Sequence, residues 1–264
     1  MTAATSEPAI SFERVAKAYA GQQRALRGIS LAVPEREFLA IVGPSGSGKT
    51  TLLRLINRLA EATEGTVRVE GADVRTVDPV ELRRRLGYVF QNVGLFPHMT
   101  VAENIAITPR LLGWSEADRA VRVDELIDLV RLDRARHRDR YPHQLSGGER
   151  QRVGVARALA ARPRIVLIDE PFGALDPLTR DAIGQDVRRL HDTLGLTTVM
   201  ITHDTLEAVL LADRIVVVRD GEVIADGAPR ALMTDDADPY VRELMQTPRR
   251  QAERLHALMT GPRP

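Results

Sequence analysis

Eight consecutive residues, Gly43-Pro44-Ser45-Gly46-Ser47-Gly48-Lys49-Thr50, have the composition of a phosphate-binding loop. The glycines let backbone N–H groups turn inward around phosphate oxygens, and a helix starting behind the loop adds its dipole. In such a loop Lys49 reaches the β- and γ-phosphates of a nucleotide and Thr50 places its hydroxyl on Mg2+; Thr51 joins the same nucleotide-binding set. A Gly/Ser-rich turn with no ligand has the same composition. Further on, Ile165-Val166-Leu167-Ile168 leads into Asp169 and Glu170. Four apolar residues ending in two acids suit a buried strand that delivers carboxylates to its carboxyl end, where open α/β sheets bind ligands. Asp169 is the candidate for contact with Mg2+ through its water shell, and Glu170 the candidate general base toward an attacking water. Taken alone, the pair reads equally as a strand followed by a solvated acidic turn. Leu145-Ser146-Gly147-Gly148-Glu149 precedes a helical run from Arg150 to Ala161, so Ser146 and two glycines open a second anion-receptive helix end. An ordinary N-cap with a flexible turn is the simpler reading of that stretch in isolation.

These groups need elements to position them. Ile10 to Val15 and Ile29 to Val33 alternate apolar and polar residues, as half-buried strands do. Phe38 to Val42 is a continuous apolar run, expected of a strand buried on both faces; it leads into Gly43, and Thr50 to Leu59 then has helical spacing. From about 91 to 161 helical periodicity dominates, over Glu103 to Ile107, Glu116 to Leu132 and Glu149 to Ala161. Strands return at Arg164 to Ile168, at Thr197 to Ile201, and at Ile215 to Val218, which Asp220-Gly221 joins to Glu222 to Ala225 as a hairpin. The expectation is one α/β domain over 1–264. Its core, with the β region, takes about 1–90 and 162–230. A helical subdomain is inserted at about 91–161, and a helical tail at about 231–264 ends in an Arg- and Pro-containing stretch.

Bulk composition narrows the class. The 264 residues are 44% hydrophobic but only 4% aromatic, so the core rests on aliphatic side chains. Lys and Arg number 37 against 36 Asp and Glu, a net charge of +1, which argues against a nucleic-acid surface. There is no cysteine, which excludes disulfides and thiol chemistry. Met1 to Ile10 lacks the pattern of a signal peptide, and no stretch approaches the roughly 18 to 20 apolar residues of a membrane span. The expected location is cytoplasmic.

The order of phosphate loop, Gln91, Leu145-Ser146-Gly147-Gly148, Asp169-Glu170, Gly173-Ala174-Leu175-Asp176 and His203 resembles the ABC transporter ATPase family over roughly residues 10 to 230. The resemblance implies a P-loop NTPase core carrying an N-terminal antiparallel β region and the inserted helical subdomain. It implies ATP and Mg2+ as ligands, with Tyr19 stacked on adenine. Gln91 sits at the joint between core and helical subdomain, touching Mg2+ or the attacking water, and His203 hydrogen-bonds the γ-phosphate. Ser146, Gly147, Gly148 and Asp176 then serve the ATP of a second copy or paired cassette, Asp176 lying at the dimer seam. Without the resemblance, Tyr19 is an ordinary loop aromatic, His203 a structural histidine and Asp176 an N-cap before Pro177. Glu149 departs from the glutamine frequent in the family, so a contact from that position to the nucleotide sugar does not carry over.

One cassette, no membrane segment and no long coiled-coil insert imply a separate subunit docked on transmembrane permease subunits, serving a solute-binding protein indirectly. Leu55-Ile56-Asn57-Arg58, Gly94 to Thr100 with Glu103 to Ile107, Gly113-Trp114-Ser115 and Phe172 to Thr179 are similar to the ATPase subunits of glycine betaine, choline and carnitine importers. Many of those carry paired CBS modules at the C-terminus; the chain ends at Pro264, so the resemblance implies regulation by another device. Leu95 and Phe96 are expected near the permease-docking groove, or else within the helical core. The alternatives are an ATPase of another ABC system and a non-transport module that dimerises on nucleotide. The solute touches a different subunit and leaves no mark here.

Overall fold

A computed structural model of the chain describes residues 7–19, 24–173, 175–234 and 238–260. Its strands are β1 (Ile10–Ala18), β2 (Arg24–Val33), β3 (Phe38–Val42), β4 (Glu64–Val69), β5 (Ala72–Asp73), β6 (Leu86–Val89), β7 (Ile165–Asp169), β8 (Thr197–Ile201), β9 (Arg214–Arg219) and β10 (Glu222–Gly227). One sheet, ordered β2-β1-β4-β5, is antiparallel. The other, β10-β9-β3-β8-β7-β6, is parallel except for the β9–β10 hairpin.

Every residue of β3 is buried, and alternate side chains go to opposite cores, as a period of two requires. Phe38, Ala40 and Val42 face a core shared with the helices between β6 and β7. Leu39 and Ile41 face one shared with the antiparallel sheet. The β9–β10 turn holds Asp220 at φ 51 and Gly221 at φ 80, the two positive angles of a type I′ hairpin.

The helices are α1 (Lys49–Ile56), α2 (Pro79–Arg85), α3 (Val101–Leu111), α4 (Glu116–Leu129), α5 (Arg134–His137), α6 (Gly147–Leu159), α7 (Pro177–Leu194), α8 (Thr205–Leu211), α9 (Pro229–Leu232) and α10 (Pro239–Thr260). Leu52, Leu53, Leu55 and Ile56 wedge α1 between the two sheets. From β6 to β7 the described residues form helices and loops only.

Several elements differ from their sequence signals. The expected helix to Leu59 stops at Ile56, because Asn57 leaves helical geometry and Arg58 turns left-handed at φ 53. The fourth to sixth strands carry no strong pattern; in β4 only Val67 and Val69 are buried. Val241 and Met245 of α10 are fully buried in the helical core, while residues 261–264, the end of the expected tail, lie outside the described residues. Among the described residues no helix is long and apolar enough to cross a membrane.

Candidate functional site

Strand order decides which loops meet. β8 lies between β3 and β7, and β6 flanks β7, all four parallel. Ile41 pairs with Ile201, Asp169 with Ile201, and Val89 with Ile168. The segments following Val42, Asp169, Ile201 and Val89 therefore leave the same sheet edge. They carry the phosphate loop, Glu170, His203 and Gln91.

Gly43 turns the chain out of β3 at φ 147, where a Cβ would lie 2.0 Å from the Val218 carbonyl oxygen. Gly48 caps α1 at φ 103, where a Cβ would lie 2.4 Å from the Ala25 carbonyl oxygen. No other residue type fits either place. Pro44, Ser45 and Gly46 form an exposed tip, behind which the first amides of α1 have no intrahelical partner. Lys49 is buried, and its Nζ donates to the carbonyls of Gly43 and Pro44, both at 2.8 Å. Burial pushes this ammonium below its ordinary value, while Glu170 and Asp169 pull it back up. Ser47 Oγ is buried with no hydrogen-bond partner, a costly state that an added phosphate oxygen relieves. Thr50 is half-buried on the first turn of α1; the side chain of Thr51 is buried, leaving its amide as its group at the helix end.

At the end of β7, Tyr88 Oη donates to Asp169 Oδ2 at 3.2 Å. Burial raises the Asp169 carboxyl, opposed by this hydrogen bond and by Arg54 and Lys49. Glu170 Oε2 accepts from Gln91 Nε2 at 3.0 Å, with His203 Nδ1 at 3.5 Å. The His203 side chain is 64% exposed, so it can meet a ligand from solvent. Among the described residues no cluster of three acids, histidines or cysteines forms a metal cage. Thr50, Gln91 and Asp169 instead offer a few hard oxygens, the sparse donor set that suits an ion keeping waters and substrate phosphates as its other ligands.

The second helix end is seated against α5 and α7. No hydrogen bond or ion pair among the described residues joins residues 146–149 to residues 43–51. Ser146 caps α6 in a capping box: its Oγ accepts from the Glu149 amide at 3.2 Å, and Glu149 Oε2 accepts from the Ser146 amide at 2.7 Å. Gly148 packs on α7, where a Cβ would lie 2.6 Å from Thr179 Cγ2. Asp176 is exposed and caps α7 by accepting from the Thr179 amide at 3.0 Å. Tyr19 is half-buried with Lys17 Nζ 4.8 Å from its ring centroid, and residues 20–23 beside it lie outside the described residues.

Three residues escaped the sequence reading. Tyr88 orients Asp169, His137 grips Glu149 from α5, and Arg157 of α6 donates to the carbonyls of Val93 and Gly94, each at 2.6 Å. Their partners are 81, 12 and 63–64 positions away, so no local pattern announces them. Fully buried Asn104 bonds the Phe96 amide and the carbonyls of Phe96, Met99 and Thr100; it thereby holds a loop from which Phe96 projects, 40% exposed, while Leu95 packs partly into the helical core.

The profile of the ABC transporter family matches residues 26–173. A choline transport ATP-binding protein of Bacillus subtilis is 45% identical over 256 residues, covering 95% of this chain and 67% of that protein. A glycine betaine/carnitine/choline transport ATP-binding protein of the same organism is 47% identical over 236 residues, covering 89% of this chain and 62% of that protein. The chain thus spans about two thirds of the length of these relatives. A solved dimeric ATP-binding cassette in a post-hydrolysis state, bound to ADP and Pi, superposes with a TM-score of 0.74 at 37% identity, covering 83% of this chain and 98% of that one.

Proposed function

The chain belongs to the ABC transporter family, and from that membership and the arrangement around Glu170 we propose that it binds and hydrolyses ATP as the energising subunit of a solute importer. The carrying observation is the convergence of Gln91 Nε2 and His203 Nδ1 on one oxygen of Glu170, on the sheet edge that also bears the phosphate loop.

The chemistry follows from the donors. The phosphate loop surrounds the β- and γ-phosphates with amides, and Lys49 exchanges its two carbonyl partners for phosphate oxygens. Glu170 accepts a proton from the attacking water, Gln91 orients the carboxylate, and His203 donates to the γ-phosphate. Thr50, Asp169 and Gln91 would hold Mg2+, which would supply neutralisation of phosphate charge. Tyr19 offers a ring face to the adenine.

Ser146, Gly147, Gly148 and Asp176 serve the ATP of a second copy or a paired cassette. The dimeric state of the solved cassette supports this reading. ATP then favours the closed pair because its γ-phosphate meets both sets of donors only there, the differential affinity a ligand-driven switch requires.

Residues 1–90 and 162–230 act as the nucleotide-binding core, and 91–161 as the lobe that docks on permease subunits at the cytoplasmic face of the membrane. The exposed ring of Phe96 and the Asn104-braced loop beneath it support the docking. The transport functions of the relatives support quaternary-amine osmoprotectants such as choline, glycine betaine or carnitine as the solute class.

ATP hydrolysis measured across protein concentrations, beside a Glu170→Gln variant, tests the core of the proposal. A rate rising more steeply than linearly, with the variant inactive yet dimeric in ATP, is the expected result. A linear rate, or a variant as active as the parent, overturns it.

A further inference from the structure

Glu149, standing where the family often has glutamine, is gripped from two sides. Oε2 accepts from the Ser146 amide at 2.7 Å, and Oε1 lies 2.9 Å from Nε2 of His137. His137 closes α5, is 5% exposed, and has its Nδ1 2.8 Å from the Asp133 carbonyl oxygen and 3.1 Å from the Asp133 amide nitrogen. One residue thus offers Nδ1 both an acceptor and a donor. The neutral ring protonated on Nε2 accepts from the Asp133 amide, and the imidazolium donates to the Asp133 carbonyl. In both forms Nε2–H points at Glu149. The remaining tautomer would set a lone pair against the carboxylate and is disfavoured.

The grip reaches the mouth of α6. While the capping box is closed, Ser146 Oγ accepts from the Glu149 amide, which leaves its own O–H to donate outward. The amides of Gly147 and Gly148 open the helix without intrahelical partners. A Glu149 side chain released from His137 is free to swing toward these amides as a rival anion. Even at the ordinary carboxylate value of 4.5 the released side chain is charged at neutral pH.

We propose that His137 is a positioning residue for the ATP bound by the second copy: by holding Glu149 inward it keeps the Ser146-Gly147-Gly148 donors aimed and unoccupied. The inference rests on the two-copy ATP sandwich proposed above. It differs from a plain stability role because it acts on closure of the pair and leaves the chain's own phosphate loop untouched.

The test uses the full chain in a Glu170→Gln background, where ATP is bound and not consumed. Dimerisation in ATP is followed by analytical ultracentrifugation, and binding of a fluorescent ATP analogue to the monomer is titrated separately. His137→Phe, which lacks the donor, is expected to weaken ATP-driven dimerisation about tenfold, the worth of one cap interaction, with monomer binding within about twofold of the parent. His137→Gln, which retains an N–H, restores most of the loss. Glu149→Ala, at a partly exposed position, removes the rival carboxylate, so added to His137→Phe it restores dimerisation; His137→Ala carries the test if His137→Phe does not fold. Ser146→Arg, which blocks the helix end, separates the two readings. If Ser146→Arg prevents dimerisation while His137→Phe and His137→Ala dimerise like the parent, the role of His137 is refuted and the sandwich stands. If Ser146→Arg also dimerises normally, the sandwich itself fails. Equal losses in His137→Phe and His137→Gln, or matching losses in monomer binding, mark a structural role and overturn the inference.

Discussion

Gln91 donates to Glu170 at 3.0 Å across 79 positions of chain, and the backbone at Glu170 is left-handed, with φ 43. That conformation costs an L-residue roughly 1–2 kcal/mol. The Glu170 amide bonds the Ile201 carbonyl at 3.0 Å, extending the β7–β8 pairing one residue past the strand and holding the strained position in place. The turn so enforced aims the carboxylate at Gln91 and His203.

Removing the orienting amide tests this geometry. Gln91→Ala leaves the Glu170 backbone held by Ile201 but frees its side chain, so kcat for ATP falls about ten- to a hundredfold, the low end of what a positioned base contributes. ATP binding measured without Mg2+ stays within about threefold, because the phosphate loop is untouched. Single-turnover kinetics beside equilibrium binding checks the split; an unchanged kcat would falsify the orienting role.

The phosphate-loop glycines differ in what they resist. Gly43→Ala drives a Cβ to 2.0 Å from a β9 carbonyl that the sheet cannot move, and about 4 kcal/mol or more of stability is lost. Gly46 has φ 79 and open space around it, so Gly46→Ala costs about 1 kcal/mol through its backbone angle alone. Urea unfolding of both variants decides; equal losses would show that β9 does not brace the loop.

Asp186 of α7 is a buried carboxylate shared by Arg152 of α6, Arg131 at 3.2 Å and Arg189 at 3.1 Å. Its side chain is 6% exposed, and among its partners Arg152 is mostly buried, so Asp186→Ala leaves that guanidinium under-satisfied and costs about 1–3 kcal/mol. Paired with Arg152→Ala, the double variant loses less than the sum of the singles, because each deletion removes the same contact. Simple additivity in denaturant melts counts against the α6–α7 clasp.

Glu149 predicts a pH dependence with a definite sign. Its folded carboxyl, near about 2, lies below the ordinary 4.5 because the Ser146 amide and His137 favour the ionised form. The stabilisation is complete above pH 4.5 and is lost as pH falls from 4.5 toward 2. The difference in Tm between the parent and Glu149→Gln is therefore largest near neutral pH and closes on acidification. A gap that widens in acid contradicts the assignment.

What could be read along the chain was what adjacent residues settle among themselves. Phe38 to Val42 declares burial on two faces by its unbroken apolar run, and Asp220-Gly221 declares a hairpin because both residues tolerate positive φ. The phosphate loop is legible because amides, lysine and hydroxyls meet within eight residues. Ser146 and Asp176 read as caps for the same reason, each bonding an amide three positions on. β4 and β6 were not legible: β4 buries only two of its side chains deeply, and β6 spans four residues, so neither carries a run long enough to show a period.

The sequence by itself determined the kinds of chemical group present and the local turns that present them, since backbone sterics and hydrogen-bond reach act over a few residues. Only the tertiary structure decided that Gln91 and His203 share one oxygen of Glu170, that Tyr88 orients Asp169, and that His137 holds Glu149. The first two depend on β8 lying between β3 and β7 with β6 beyond, and the third on how α5 is seated against α6. Strand order and helix seating come from burying apolar faces across the whole chain, a collective outcome that no single segment encodes.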